Sequence, residues 1–343
     1  MRTLRLMLAG CVVALSFKTL GQAPRVDKKE FFKEDKMIEA VLSTDLGMLL
    51  SGKSKEDYLP ADLTFKFPDS SVIKETIRIR ARGQFRRTNC YVPSLKLNFH
   101  NESSPQLHSL NSLKLVCGCK TGFTFDQLLL REYVIYKMYN LITDKSFRVR
   151  LLHVRYEDSK GKKKPLVAYA FLIEDINDMA KRNHCREWTK GGLPTEVTNR
   201  QQMTTVAIFQ YMIANTDWAV PVLHNIRLIY PKDDSTARPF AVAYDFDFAG
   251  LVNPDYAIPD PKLGIESVRD RLYRGFPRTM GELQEALQKF KDEKDKIYSL
   301  INNFELLSPA TKKDMTGFLD DFYKTINNES DVKYVFIDNA RRE

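Results

Sequence analysis

The chain has 343 residues and a formal net charge of +9, with 53 lysines and arginines against 44 aspartates and glutamates. Apolar residues at 43% and aromatics at 11% supply a sizeable core and exclude wholesale disorder. The basic excess is modest and lacks a dense basic run interleaved with aromatics, so no nucleic-acid partner is expected.

The opening M-R-T-L-R, an apolar run from Leu6 to Phe17 and the exit K-T-L-G-Q-A-P have the form of a secretory signal peptide, residues 1–21, cleaved after Gly21. Its apolar run is far shorter than the about 20 residues that span a bilayer, so no transmembrane segment is expected after its removal. The expected location is the periplasm or cell surface of a bacterium. Leu8-Ala9-Gly10-Cys11 matches a lipoprotein signal, but almost no hydrophobic segment precedes Cys11, which makes lipid anchoring the lesser reading. Four cysteines remain: Cys90, Cys117, Cys119 and Cys185. An even number in an exported chain suggests disulfides. The sequence leaves the pairing open; the reading taken is Cys90 with Cys119, stapling two neighbouring strands. A Cys-x-Cys zinc site has no nearby His or Cys pair to complete a tetrahedron.

In chain order, Val26 to Lys36 is a charged lead-in, Met37 to Leu42 a first strand, Thr44 to Gly47 a turn, Met48 to Leu50 a short apolar segment and Lys53 to Asp57 a polar connector. Leu63 to Phe67 and Thr76 to Arg82 alternate with period two and form a hairpin, placing Arg78, Arg80 and Arg82 on one face. Pro93 to Phe99 alternates likewise, with Lys96 and Asn98 opposite Leu95, Leu97 and Phe99. Ser112 to Val116 is another short strand. The period changes to helical from Phe125 to Ile142, where Glu132 is an acid among apolar neighbours. Val149 to Tyr156 and Leu166 to Ile173 pair around a lysine-rich tip, Lys160 to Lys164. Beyond Glu174 the chain is mainly helical: Asn199 to Ala214, Met280 to Ile301 behind a Thr279/Glu282 capping box, and Pro309 to Ile326. Asn253 to Gly264 is irregular.

The richest stretch runs from Asn215 to Gly250. Twice an apolar run ends in oxygen-bearing residues: Asn215, Asp217 and Asn225, then Asp245 and Asp247 with Gly250 closing the turn. Two such clusters joined by a hairpin suit a divalent cation on a phosphate. Phosphoryl transfer also needs a lysine for the phosphates, often braced by a helix carboxylate, and Lys96 and Glu132 occur in that order.

The sequence resembles the CotH-like (spore coat protein H) atypical protein kinases, or a related branch of exported bacterial proteins of unassigned function. The resemblance is carried by I-R-I-R-A-R-G-Q-F-R-R (77–87), S-L-K-L-N-F (94–99), L-L-L-R-E-Y-V-I-Y-K-M-Y-N (128–140), A-Y-A-F-L-I-E-D-I (168–176), N-T-D-W (215–218), H-N-I-R-L-I (224–229) and Y-D-F-D-F-A-G (244–250). The order of elements itself matches a two-lobed α+β protein, with a strand-rich N-terminal lobe (22–173) and a mainly helical C-terminal lobe (174–343), and the resemblance implies that this fold is protein-kinase-like. It also implies ATP with Mg or Mn, and a protein or cell-envelope hydroxyl as substrate. By that resemblance Lys96 or Lys114 holds phosphates, Glu132 braces it, Glu174 lies at an interlobe hinge, Asp217 is catalytic, and Asn225, Asp245 and Asp247 serve the metal. The family's loop carries its asparagine five places after the aspartate; here Asn225 follows Asp217 by eight, with Pro221 between. No G-x-G-x-x-G occurs, and Arg82-Gly83-Gln84 is a weak substitute. Two other readings stand beside it: an inactive kinase-fold binding module, and a hydrolase with cations on Asp245 and Asp247 and arginines on a phosphodiester.

Overall fold

A computed structural model describes residues 26–51, 57–100, 105–234 and 236–342. The expected signal peptide, Cys11 and most of the connector at 53–57 lie outside the described residues.

Alternation shapes the first half. After a short helix α1 (Lys28–Phe31) come β1 (Ile38–Thr44), α2 (Leu46–Ser51), β2 (Leu59–Lys66), β3 (Val72–Arg82), α3 (Gln84–Asn89), β4 (Ser94–Asn98) and β5 (Ser112–Cys117). Helix α4 (Phe123–Ile142) precedes β6 (Val149–Asp158) and β7 (Leu166–Ile173). The seven strands close into a barrel in the order β1-β2-β3-β4-β5-β7-β6. All pairs are antiparallel except the closing one, in which β1 runs parallel to β6 with Ile38 beside Leu152. Closure leaves no unpaired edge and surrounds a core of inward residues such as Ile38, Phe65, Ile77, Ile79, Leu95 and Leu172. Glu75 takes an inward position on β3 and is satisfied by the backbone N–H groups of Gln106 (2.6 Å) and Leu107 (3.1 Å).

The remaining elements are α5 (Ile176–Arg182), β8 (Cys185–Glu187), α6 (Arg200–Met212), β9 (Ile226–Pro231), β10 (Phe240–Ala243), α7 (Met280–Asp292), α8 (Lys294–Asn303), α9 (Pro309–Ile326) and α10 (Glu329–Lys333). Strands β10, β9 and β8 form a separate antiparallel sheet. A second core joins Val149, Leu151, Phe171 and Ile173, on the outer faces of β6 and β7, to α4, to this sheet and to α6 through α9.

These findings overturn the two-lobed protein-kinase-like fold. The strand-rich half is a closed mixed barrel, and α4, which the expected boundary at 173/174 assigns to the first lobe, shares one core with the C-terminal helices. Alternation identifies inward residues, but it is silent on whether the first strand pairs with one far along the chain. Smaller corrections follow the same logic. The segment expected as a turn and apolar run is α2, and the helix expected from Met280 to Ile301 is interrupted at Glu293 into α7 and α8. The Thr279/Glu282 capping box is present.

Candidate functional site

Two walls face one another across a cavity of about 630 Å³ lined by Arg82, Thr88, Ser94, Asp217, Asn225 and Asp245, among others. Its acidic wall is built by local chain geometry. Helix α6 ends at Met212, and Ala214 turns the chain with φ of 51°. Asn215 is buried, donates to Gln210 Oε1 (3.0 Å) and accepts from the Asp217 N–H (3.0 Å), so it fixes the turn that presents Asp217. Arg274 donates to the carbonyls of Thr216 and of Trp218 (2.9 Å), holding the same turn from behind.

The eight-residue spacing to Asn225 is absorbed by a small hairpin. Ala219 and His224 exchange backbone hydrogen bonds of 3.0 and 2.9 Å, with Pro221 and Val222 at the tip. Gly192 lies so close that a Cβ there would meet the Pro221 carbonyl oxygen at 1.8 Å. The chain thus returns, and Asn225 Nδ2 donates to the Asp217 carbonyl (2.8 Å) and to its Oδ2 (2.9 Å). Asp217 Oδ1 shares a 2.6 Å hydrogen bond with His224 Nε2.

The second acidic cluster follows β10. Asp245 has φ of 63° and donates its N–H to the buried Tyr136 hydroxyl on α4 (2.8 Å), while Tyr244 N–H reaches the Asn225 carbonyl (3.1 Å). Gly250 N–H and Leu251 N–H bond the carbonyls of Ala214 and Ile213, both at 3.0 Å. A Cβ at Gly250 would meet the Val268 carbonyl oxygen at 2.3 Å and the Ala214 Cβ at 2.9 Å, so the packing of this turn against the Ala214 turn and the 268–269 segment requires glycine. Left-handed backbone at the non-glycine residues Ala214, Leu223, Asn225 and Asp245 costs free energy and gathers at this one place, as it does at sites where geometry is held for a purpose.

The opposite wall is cationic and comes from the barrel's outer face. Strand register sets Arg80 opposite Lys96 and Lys96 opposite Lys114, with Arg82 opposite Ser94. Arg78 and Arg80 flank the Tyr58 ring at 5.6 and 5.3 Å, whereas Arg82, at the strand end, lines the cavity. Lys114 sits 4.9 Å from the Tyr244 ring centroid. Burial, with Arg82 and Arg227 nearby, pushes its ammonium down to about 8 against the pull of Asp245 and Asp175. Cys90 and Cys119 form a disulfide that ties the segment after α3 to the segment after β5. Cys117 faces the barrel interior, with its Sγ 3.3 Å from the Tyr156 hydroxyl, and Cys185 is a buried free cysteine.

Of the residues named from sequence, Asp217, Asn225, Asp245 and Asp247 line the cavity. Lys114 is coupled to it through Arg82 and Asp245, and Lys96, its cross-strand partner on β4, stands two residues from the lining Ser94. Glu132 is buried on α4 beside Asp247 in a small adjoining space. With burial, Glu132 and Asp245 hold the Tyr136 hydroxyl pKa well above the ordinary phenol range. Glu174 lies elsewhere: it borders a different cavity, where it receives Arg182 Nη2 (2.9 Å) and Nε (3.2 Å) and the Arg148 N–H (3.0 Å). Arg269 and Arg271 are structural, bonded to Asp314 and to main-chain carbonyls respectively. Sequence reasoning did not foresee His224 and Tyr136 as parts of the site. His224, adjacent to Asn225 in sequence, offered a positional signal; Tyr136 offered none.

The donor set is oxygen-only, which suits a hard cation such as Mg or Mn held jointly with phosphate oxygens. Among the described residues, no group of three or more His, Cys, Asp or Glu side chains is placed to hold a metal ion alone. No family model matches the chain, and no curated protein matches it.

Proposed function

We infer that the cavity binds a nucleoside triphosphate with Mg or Mn and supports transfer of its terminal phosphoryl group to a hydroxyl of a protein or cell-envelope component. The observation that carries this reading is the convergence of Asp217, Asn225, Asp245 and Asp247 on one cavity wall, opposite Arg82 and backed by Lys114. The reading does not depend on a kinase-like fold, which the closed barrel excludes. The resemblance of the quoted motifs to the CotH-like family supports it, and the signal-like N-terminus leads us to propose an extracytoplasmic setting, where ATP is scarce.

The cation would screen the charge of the transferring phosphoryl group. Asp245 and Asn225, with Asp247 beside them, are the residues that would hold it. Arg82 and Lys114 would neutralise phosphate oxygens, Arg82 through a planar fork and Lys114 as a point charge. Asp217, fixed by His224 and Asn225 on its two oxygens, keeps lone pairs to orient an incoming hydroxyl.

One observation favours a second reading, a phosphate-binding module without turnover: both Asp217 oxygens are already engaged. Calorimetry of ATP with and without Mn²⁺ tests the first reading. Metal-dependent binding is expected, and its absence in the mature protein would overturn it. Turnover that disappears in Asp217→Ala would exclude the inactive module.

A further inference from the structure

A second cavity, of about 560 Å³, shares no lining residue with the first. Six of its lining side chains are cations (Lys28, Lys33, Arg148, Lys181, Arg182 and Lys232), against two carboxylates, Glu174 and Asp178. Both carboxylates are already engaged. Glu174 is buried and binds Arg182, whose guanidinium also donates to the carbonyls of Asp144 (2.9 Å) and Ser146 (2.7 Å). Asp178 binds Lys28 at 2.5 Å. Lys33 is held by Glu30 at 2.6 Å. Arg148, Lys181 and Lys232 therefore face one cavity with no carboxylate within ion-pair distance among the described residues.

Like charges gathered around a concavity raise each other's energy and concentrate anions there. The framework is rigid where it matters. Arg148 is half-buried just before β6, and its backbone is pinned in both directions: its N–H to Glu174 Oε2 and its carbonyl to the Glu174 N–H (2.9 Å). Lys181 stands on α5, and the Lys232 N–H bonds the His184 carbonyl (2.9 Å), which ties the β9 end to the loop after α5. Glu174 thus has a role here: it locks Arg182 and the Arg148 backbone so that this wall keeps its shape. A volume of this size accommodates a small ligand.

We propose that this cavity is a second, metal-independent anion site that takes a compact phosphorylated ligand carrying at least two negative charges, held by Arg148, Lys181 and Lys232. A guanidinium fork with two ammonium groups matches phosphoryl oxygens, and three unpaired cations balance a multiply charged group without help from a metal. The phosphoryl group could belong to a free oligophosphate or to a nucleotide.

The test titrates tripolyphosphate, and separately ADP, into the full-length mature protein in EDTA at physiological ionic strength, by calorimetry. The wild type is expected to bind tripolyphosphate. Lys181→Ala/Lys232→Ala, two exposed changes that leave the core untouched, is expected to weaken it by about tenfold or more, while Arg82→Ala/Lys114→Met retains it. Comparable ADP binding would identify a nucleotide phosphate as an acceptable source; tripolyphosphate binding without ADP binding would restrict the ligand to non-nucleotide phosphates. The proposal is overturned if the wild type does not bind without metal, if the double lysine variant binds like wild type, or if the Arg82/Lys114 variant loses the binding. Metal-dependent ATP binding at the first cavity is expected to be unchanged in Lys181→Ala/Lys232→Ala, so the two readings fail separately.

Discussion

The two walls of the first cavity are made in opposite ways. The acidic wall is a product of short-range geometry, where an Asn215 turn, a folded-out hairpin and the Gly250 contact bring Asp217, Asn225 and Asp245 together. The cationic wall is a product of long-range order: Arg82, Lys96 and Lys114 are neighbours only because β3, β4 and β5 pair in register. A wall made locally is held by its own hydrogen bonds and strained dihedrals. A wall made by a barrel depends on everything that keeps the barrel closed. The first should fail through single atoms, the second through loss of support.

The largest effect is therefore expected at Asp245. Its backbone is left-handed, a conformation that asparagine tolerates at least as well, so Asp245→Asn preserves shape and removes one charge. Metal-dependent ATP binding is expected to disappear and any phosphoryl transfer to fall by at least about 100-fold, the scale of losing one charge-stabilising group. The melting temperature is expected to stay within a few degrees. An unchanged metal-dependent affinity would show that the acidic wall does not hold the cation.

The same difference explains what could be read from the sequence. Asp217, Asn225, Asp245 and Asp247 stand out because each ends an apolar run within a few dozen residues of the others, and a local site leaves a local pattern. The eight-residue gap to Asn225 does not reveal that Ala219 and His224 pair and cancel the excess length. On the barrel side, period-two alternation puts Arg78, Arg80 and Arg82 on one face but cannot say which end of the strand meets the cavity. It leaves Lys96 and Lys114 equivalent, since the approach of Tyr244, more than a hundred residues later, is what distinguishes them. Glu174 looks like a site residue from its place after a strand, yet its partner Arg182 is one helix further on. Barrel closure by β1 and β6 leaves no local trace at all.

Support for the cationic wall is open to a direct test at the disulfide. Cys90 and Cys119 are 29 residues apart and anchor the segment that brings Thr88 and Asn89 to the cavity. Cys90→Ser/Cys119→Ser is expected to cost about 3.6 kcal/mol of stability, the loop-closure entropy restored to the unfolded chain, read as a lower urea midpoint. Nucleotide affinity is expected to fall with it, because the barrel-side wall loses its anchor while the acidic wall keeps its own hydrogen bonds. If affinity falls without any loss of stability, the disulfide shapes the wall rather than supports the barrel.

The smallest expected effect is a pH dependence carried by Lys114. Its ammonium titrates near pH 8 in the folded chain, against 10.5 for an ordinary lysine. Raising the pH from 7 to 9 leaves about a tenth of these side chains charged, so phosphate affinity is expected to drop by up to about tenfold over that span. Lys114→Arg should remove the slope, because a guanidinium stays charged throughout. Stability should move the other way. Between pH 8 and 10.5 the unfolded lysine holds a proton that the folded one has released, so the unfolded state binds more protons and stability rises with pH. In Lys114→Met that part of the rise should vanish from melts recorded at pH 8 and pH 10. Affinity and stability that change in the same direction would assign the titration to another group and leave the cationic wall resting on Arg82.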